Sequence, residues 1–179
     1  MIALRLLSNG MLDGGFGTGG ILTREWGGFQ SSVRALALDG VRIVALHSGY
    51  PFGANPGTFA VTRLLTNGSI EPWPDALDRH QVDFPGGSND EPLGGAVGGG
   101  YFYMSGLAYA PAPASLGVLG RMSLDGGIFD TSFGDGGWIS TEPGSPGTGF
   151  LHDVIVAKNG SILVCGGSPA GGIVRSYFP

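Results

Sequence analysis

Four arginines recur along this chain with a carboxylate eight or nine residues behind three of them. Arg5, Arg63, Arg121 and Arg175 are spaced by 58, 58 and 54 residues. Asp13, Glu71 and Asp130 follow the first three by eight, eight and nine residues. On a strand, alternate side chains share a face, which groups Arg5 with Ala3 and Leu7, and Arg63 with Val61 and Leu65. A guanidinium among apolar neighbours needs a partner, because an unpaired buried charge is costly. The chemistry expected of Arg5–Asp13, Arg63–Glu71 and Arg121–Asp130 is therefore ion pairing that braces each unit. Repetition favours bracing over ligand binding, since one site does not need an arginine in every unit.

Other residue types offer less. Gly15–Gly20 contains Gly-x-Gly-x-x-Gly, but a dinucleotide site needs a helix after that turn and a strand is expected here. His47, His80 and His152 are isolated, with no metal-ligand spacing. Ser88-Asn89-Asp90-Glu91 carries carboxylates that suit Ca²⁺, yet reads as a solvated loop. Asn67-Gly68-Ser69 and Asn159-Gly160-Ser161 match the glycosylation acceptor pattern but fall in turns. Cys165, the one cysteine, is expected as a buried apolar residue in Ile-Leu-Val-Cys. Trp26, Trp73 and Trp138 fall near the same strand type and are weighed both as packing and as binding platforms. No catalytic set, cofactor or metal is expected, and the chain is not expected to be an enzyme.

The elements that must position these residues are strands. Of 179 residues 36 are glycine, about three times the usual share, and only 13% are charged. With 42% hydrophobic residues this is not a disordered composition, which needs low hydrophobicity and high charge. The net charge of −5 and nine scattered basic residues argue against a nucleic-acid partner. No apolar run reaches membrane-span length, and Met1 runs directly into the first repeat without a signal peptide. That abrupt start suggests a piece cut from a longer protein; otherwise the chain is expected in the cytosol or delivered by another route.

Helical periodicity is nearly absent, so helix is expected in under about a tenth of residues. Asp39-Gly40 and Asn159-Gly160 lie between apolar runs, and Asn9-Gly10, Asn67-Gly68 and Asp125-Gly126 sit at one place in the repeat. These are hairpin signals that place Gly10, Gly40, Gly68, Gly126 and Gly160 at positive φ. One unit reads as four strands: the Val33–Leu38 type, the Val41–His47 type, the arginine strand, and the Ile21–Trp26 or Trp138–Thr141 type. In the divergent middle copy the first two are Leu93–Val97 and Tyr101–Leu107. There Asp75–Glu91 reads as a long surface loop and Ala110–Ser115 as an extended linker.

Arg-Leu-x-x-Asn/Asp-Gly-x-Leu-Asp-x-x-Phe-Gly-x-x-Gly, then a strand, then Ala-Leu-Ala-Leu-Asp-Gly-x-Ile-Val-Ala, resembles the bacterial delta-60 repeat. The likeness covers Ile2–Ala45 and Val118–Cys165 and is weak over Asp75–Ala114. It implies a four-stranded, β-propeller-like blade, common in large bacterial surface proteins, and no enzymatic activity.

The expected fold is thus one all-β repeat domain with units at roughly 2–58, 59–116, 117–170 and a partial 171–179. About three propeller-type blades fall below the usual four, so an incomplete propeller, or one completed by oligomerisation, is expected. The expected function is a structural or interaction module in a surface or particle assembly. Its partner is another protein or a second copy, paired through open sheet edges. A carbohydrate-binding propeller and a fragment of a propeller enzyme are the alternatives.

Overall fold

A computed structural model describes residues 1–26, 29–51, 57–84, 89–109, 115–140, 149–169 and 171–178. Most of the expected linker Ala110–Ser115 and residues 85–88 of the expected loop lie outside them. The described residues form fourteen strands and no helix, an all-β chain of several antiparallel sheets, none of them closed. A two-stranded sheet pairs β1 (Ile2–Leu4) with β2 (Ile21–Thr23). The first large sheet runs β3 (Phe29–Asp39), β4 (Arg42–Pro51), β5 (Thr58–Leu65), with β6 (Ile70–Glu71) and β7 (His80–Val82) both pairing along β5. The second orders β8 (Glu91–Gly98), β9 (Tyr101–Tyr109), β10 (Ser115–Ser123) and β11 (Trp138–Ser140). The third joins β12 (Phe150–Val156), β13 (Ile162–Ser168) and β14 (Gly171–Tyr177). Each of the three large sheets thus begins with the Val33–Leu38 strand type and places the arginine strand third.

A β-bulge proves the three sheets equivalent. The pairing slips between Val33 and Ala35, between Pro92 and Gly94, and between Leu151 and Asp153. The extra residues, Arg34, Leu93 and His152, recur every 59 positions. A bulge bends its strand and increases local twist, so a repeated bulge gives each sheet the same curvature. That regularity holds even in the middle unit, where sequence similarity fades.

The sheets pack face to face and bury two cores. Val44, Leu46, Phe59 and Val61 of the first sheet meet Phe102, Met104, Val118 and Met122 of the second. Tyr103 and Leu119, on the other side of the second sheet, meet Leu151, Val154, Ile162 and Val164 of the third. A sheet with two apolar faces cannot cover both alone, and its neighbours in the repeat supply the cover.

Three expectations change. The described part of Asp75–Glu91 is more than a surface loop: beyond the exposed Asp75–Leu77 it carries β7, paired on β5, and buries Val82, Phe84 and Asp90. A single aromatic anchor among glycine, proline and charge leaves no period to read. The positive φ expected at Gly126 falls instead on Gly127, because this turn is one residue longer and Gly126 lies within it, donating its N–H to Ser123 Oγ. Gly10, Gly40, Gly68 and Gly160 do hold positive φ. Cys165 is exposed, not buried, because alternation on β13 turns Ile162 and Val164 inward and Cys165 to the opposite face.

Candidate functional site

The recurring arginines build one local device three times. In the first unit the Arg5 N–H donates to Gly20 O at 3.1 Å, the Asp13 N–H to Arg5 O at 2.8 Å, and the Phe16 N–H to Asp13 O at 3.0 Å. In the third copy the same bonds run from Arg121 to Gly137 at 2.8 Å, from Asp130 to Arg121 at 2.9 Å, and from Phe133 to Asp130 at 2.9 Å. The acid then turns the backbone: Asp13 Oδ1 accepts the Gly15 N–H at 2.9 Å, and Asp130 Oδ1 the Ser132 N–H at 3.0 Å. Such Asx turns are why the motif has aspartate there. The Gly15 N–H, and then the Arg5 guanidinium, hold the Asp13 carboxyl below its usual range. Ser132, through its hydroxyl and then its N–H, does the same for Asp130, with a smaller contribution from Arg121.

The Phe-Gly of the motif follows from space. At Gly134, φ is +59° and a Cβ would stand 2.1 Å from Trp138 O; at Gly17 the same atom would stand 2.3 Å from Ile21 O. Gly136 has φ of +69° but open space around it. Gly134→Ala is therefore expected to cost ~1–3 kcal/mol, because the clash adds to the left-handed cost. Gly136→Ala should cost only ~1 kcal/mol, from conformation alone. Urea midpoints of the two variants check the order.

The side chains place each expected pair. Arg5 Nε lies 2.8 Å from Asp13 Oδ2, and Arg121 Nη2 2.7 Å from Asp130 Oδ2. Arg63 Nε is 3.7 Å from Glu71 Oε2, which also faces Arg42 Nε at 3.4 Å. Each guanidinium also lies against an aromatic ring, a partner the sequence reading missed. Arg5 sits 5.2 Å from the Phe16 centroid, Arg63 4.2 Å from Trp73, and Arg121 4.7 Å from both Phe133 and Tyr101. Phe16 and Phe133 share the Phe-Gly motif; Trp73 stands in for them in Glu71-Pro72-Trp73, and that spacing was the available signal.

The arginines also reach beyond their own unit. Arg5 Nη1 donates to Thr66 O, and Arg63 Nη1 donates to Leu124 O at 2.7 Å. Both acceptors lie 61 residues ahead, three past the next unit's arginine. The next unit's turn glycine then rests on the aromatic ring. A Cβ on Gly68 would stand 3.0 Å from Phe16, and one on Gly127 2.7 Å from Trp73. Arg5 and Arg63 thus each clip one unit to the next, while Arg121 braces its own unit through Asp130 and Ser132. Arg5–Asp13, Arg63–Glu71 and Arg121–Asp130 stand 58 residues or more apart in sequence and do not converge on one site.

The tryptophans separate. Trp73 is 2% exposed and donates Nε1–H to Val61 O at 3.2 Å. Trp138 takes the place that Ile21 holds in the first copy and meets Phe84 edge-on, 6.1 Å between centroids. Trp26 borders a surface cleft of about 620 Å³ with Leu77, Asp78, Arg79, His80 and Gln81. Its ring stacks on His47 at 5.0 Å and 8°. Burial, and then the charge of Arg79, press the His47 imidazole down to about 4, so it is neutral at pH 7. Its Nε2 lies 3.1 Å from Thr62 Oγ1.

Asp90 is fully buried, and its Oδ2 accepts the Phe84 N–H at 3.1 Å. Burial raises its carboxyl to about 6, against that bond. Between roughly pH 4 and 6 the folded chain then keeps a proton that the unfolded chain, with an ordinary aspartate near 3.9, has lost. Stability contributed by Asp90 is therefore present at low pH and falls as pH rises through that window. Asp90→Asn is expected to flatten this slope in urea midpoints measured from pH 4 to 7.

No family model matches the chain, and no curated protein is similar to it.

Proposed function

We propose that the chain is a non-enzymatic interaction module, made of propeller-type blades of the delta-60 kind, that presents a rigid stack of sheets to protein partners. The observation that carries this reading is the repeated arginine clip. Its charged groups are spent on carboxylates and rings of their own unit and, for Arg5 and Arg63, on a carbonyl of the next, which stiffens the stack and leaves its surfaces to do the binding. Light scattering from micromolar to hundreds of micromolar concentration tests it, alongside titration with a panel of mono- and oligosaccharides. Concentration-dependent association without sugar binding is the expected result.

A second reading rests on Trp26. Its half-buried ring beside Asp78, Arg79 and Gln81 combines an apolar body with polar groups, as sugar recognition uses. A saturable sugar-induced change in fluorescence, lost in Trp26→Ala, would replace the first reading with this one.

A further inference from the structure

We infer that a second copy of this chain docks the open face of its first large sheet on the open face of the third, head to tail, as its own sheets already pack. This rests on the interaction-module reading and names the partner and the surface. The bulge register makes the argument, because it shows which residues occupy the same place in successive sheets. Leu38, Val97 and Val156 are equivalent, each paired with the corresponding residue of the second strand: Ile43, Phe102 and Ile162. Val97 packs into the core between the first and second sheets, and Val156 into the core between the second and third. Leu38 points the same way and is 72% exposed.

The opposite faces tell the same story. Ala37, Ala96 and Ile155 are equivalent, and each pairs with Val44, Tyr103 or Leu163. Ala37 and Ala96 pack against the next sheet, while Ile155 is 56% exposed. Ile155, Leu163, Cys165 and Val174 line an apolar groove of about 260 Å³. Leu36, beside Leu38 on the first sheet's open face, is exposed as well. The small sheet reaches the far half of that face, with the Gly17 N–H donating to Asn67 O at 2.8 Å and Trp26 on His47. Ala45 and His47 of β4 and Thr62 and Leu64 of β5, on the same face, are buried, so the part that remains open is the β3 strip of Leu36 and Leu38. The open β3 strip and the open face of β12 are therefore the two sides of a contact that the chain makes twice within itself, β3 on β8 and β8 on β12.

A contact between two different faces is heterologous, so it extends to rings or filaments instead of stopping at a dimer. Sedimentation velocity of Leu38→Glu, Ile155→Glu and their equimolar mixture tests this. Each variant alone should stay monomeric where the unaltered chain assembles, with dissociation constants raised at least about tenfold. The mixture should form a one-to-one dimer that grows no further, because each variant supplies the face the other lacks. Both positions are exposed, and circular dichroism confirms that each variant folds; Leu38→Ser and Ile155→Ser replace any that does not. A dimer of Leu38→Glu alone would show the third sheet's face pairing with itself and overturn the inference. So would association unchanged by either variant, which would point to strand edges. Both of these results leave the interaction module standing. A chain that stays monomeric throughout overturns the inference as well, and sugar binding by that monomer would overturn the module reading with it.

Discussion

Arg63→Ala is expected to destabilise the chain by about 3–5 kcal/mol, as removal of one partner from a buried charged network does. Arg63 is 5% exposed, and its guanidinium is held by two carbonyls and a ring, with Nε 3.7 Å from Glu71 Oε2. Nη1 donates to Leu124 O of the second sheet at 2.7 Å, Nη2 donates to Pro72 O, and the plane covers Trp73. Truncation removes the donor to Pro72 O, leaves Leu124 O only the long 3.5 Å bond from Arg42 Nη1, and opens a void beside the indole. Glu71 loses less than a simple pair suggests, because Arg42 still faces it at 3.4 Å. The cost therefore comes mainly from the carbonyls and from the desolvated cation–π contact, worth ~2 kcal/mol on its own.

Arg5 makes the informative comparison. It has the same motif, the same acid spacing and the same forward bond to a carbonyl, but its side chain is 35% exposed. Solvent screens its pair with Asp13, and Arg5→Ala is expected to cost under ~1 kcal/mol. Arg121, with its side chain mostly buried between Tyr101 and Phe133, should fall between the two. Arg63→Lys should recover only part of the loss, since an ammonium cannot lie flat on Trp73 while bonding two carbonyls. Guanidinium-chloride midpoints with unchanged m values would give the order. If Arg5→Ala costs as much as Arg63→Ala, burial is not what sets the strength of the clip.

The arginine period, the acid eight or nine residues on and the Asp-Gly or Asn-Gly turns were all legible in the sequence. The acid and the turn are local offsets within one strand or hairpin, and the period is the same local pattern met again one unit later. The pairing partners of β8 and β9 were legible for the same reason. What stayed hidden depends on which unit meets which. Nothing in Arg63 alone points to Leu124, 61 residues ahead, and the ring that covers the guanidinium changes from Phe16 to Trp73 to Phe133. Cys165 sits in a run of apolar residues that looks buried throughout, yet the run is a strand with one covered face. Its exposure follows from the third sheet's open side, which composition does not encode. The bulges at Arg34, Leu93 and His152 were invisible for another reason, because a bulge needs no particular residue type.

Phe84→Ala is expected to cost about 3–5 kcal/mol, the range for a buried aromatic truncated in a core. Phe84 is 1% exposed, in a stretch whose prolines, glycines and charges mark it as surface. Its ring meets Phe59 edge-on at 4.8 Å, Phe129 at 5.5 Å and Trp138 at 6.1 Å. One side chain thus joins β5 of the first sheet to the region of β11 in the second. Gly120 makes room for it: a Cβ there would stand 3.0 Å from the Phe84 ring. The backbone N–H of Phe84 is held by the buried Asp90 carboxyl, which fixes the segment as it leaves β7. Phe84→Leu keeps most of the volume and should cost no more than about 1.5 kcal/mol, the bound for a volume-conserving swap. Gly120→Val should be as harmful as Phe84→Ala or nearly so, because it forces the same ring out of its place. Since Phe84 links the two sheets, its loss should also speed hydrogen exchange at β7 and β11 before it affects β12 and β13. A cost below ~1 kcal/mol for Phe84→Ala, with exchange unchanged at β11, would mean that the segment is the solvated loop its composition suggests, because surface substitutions fall in that range.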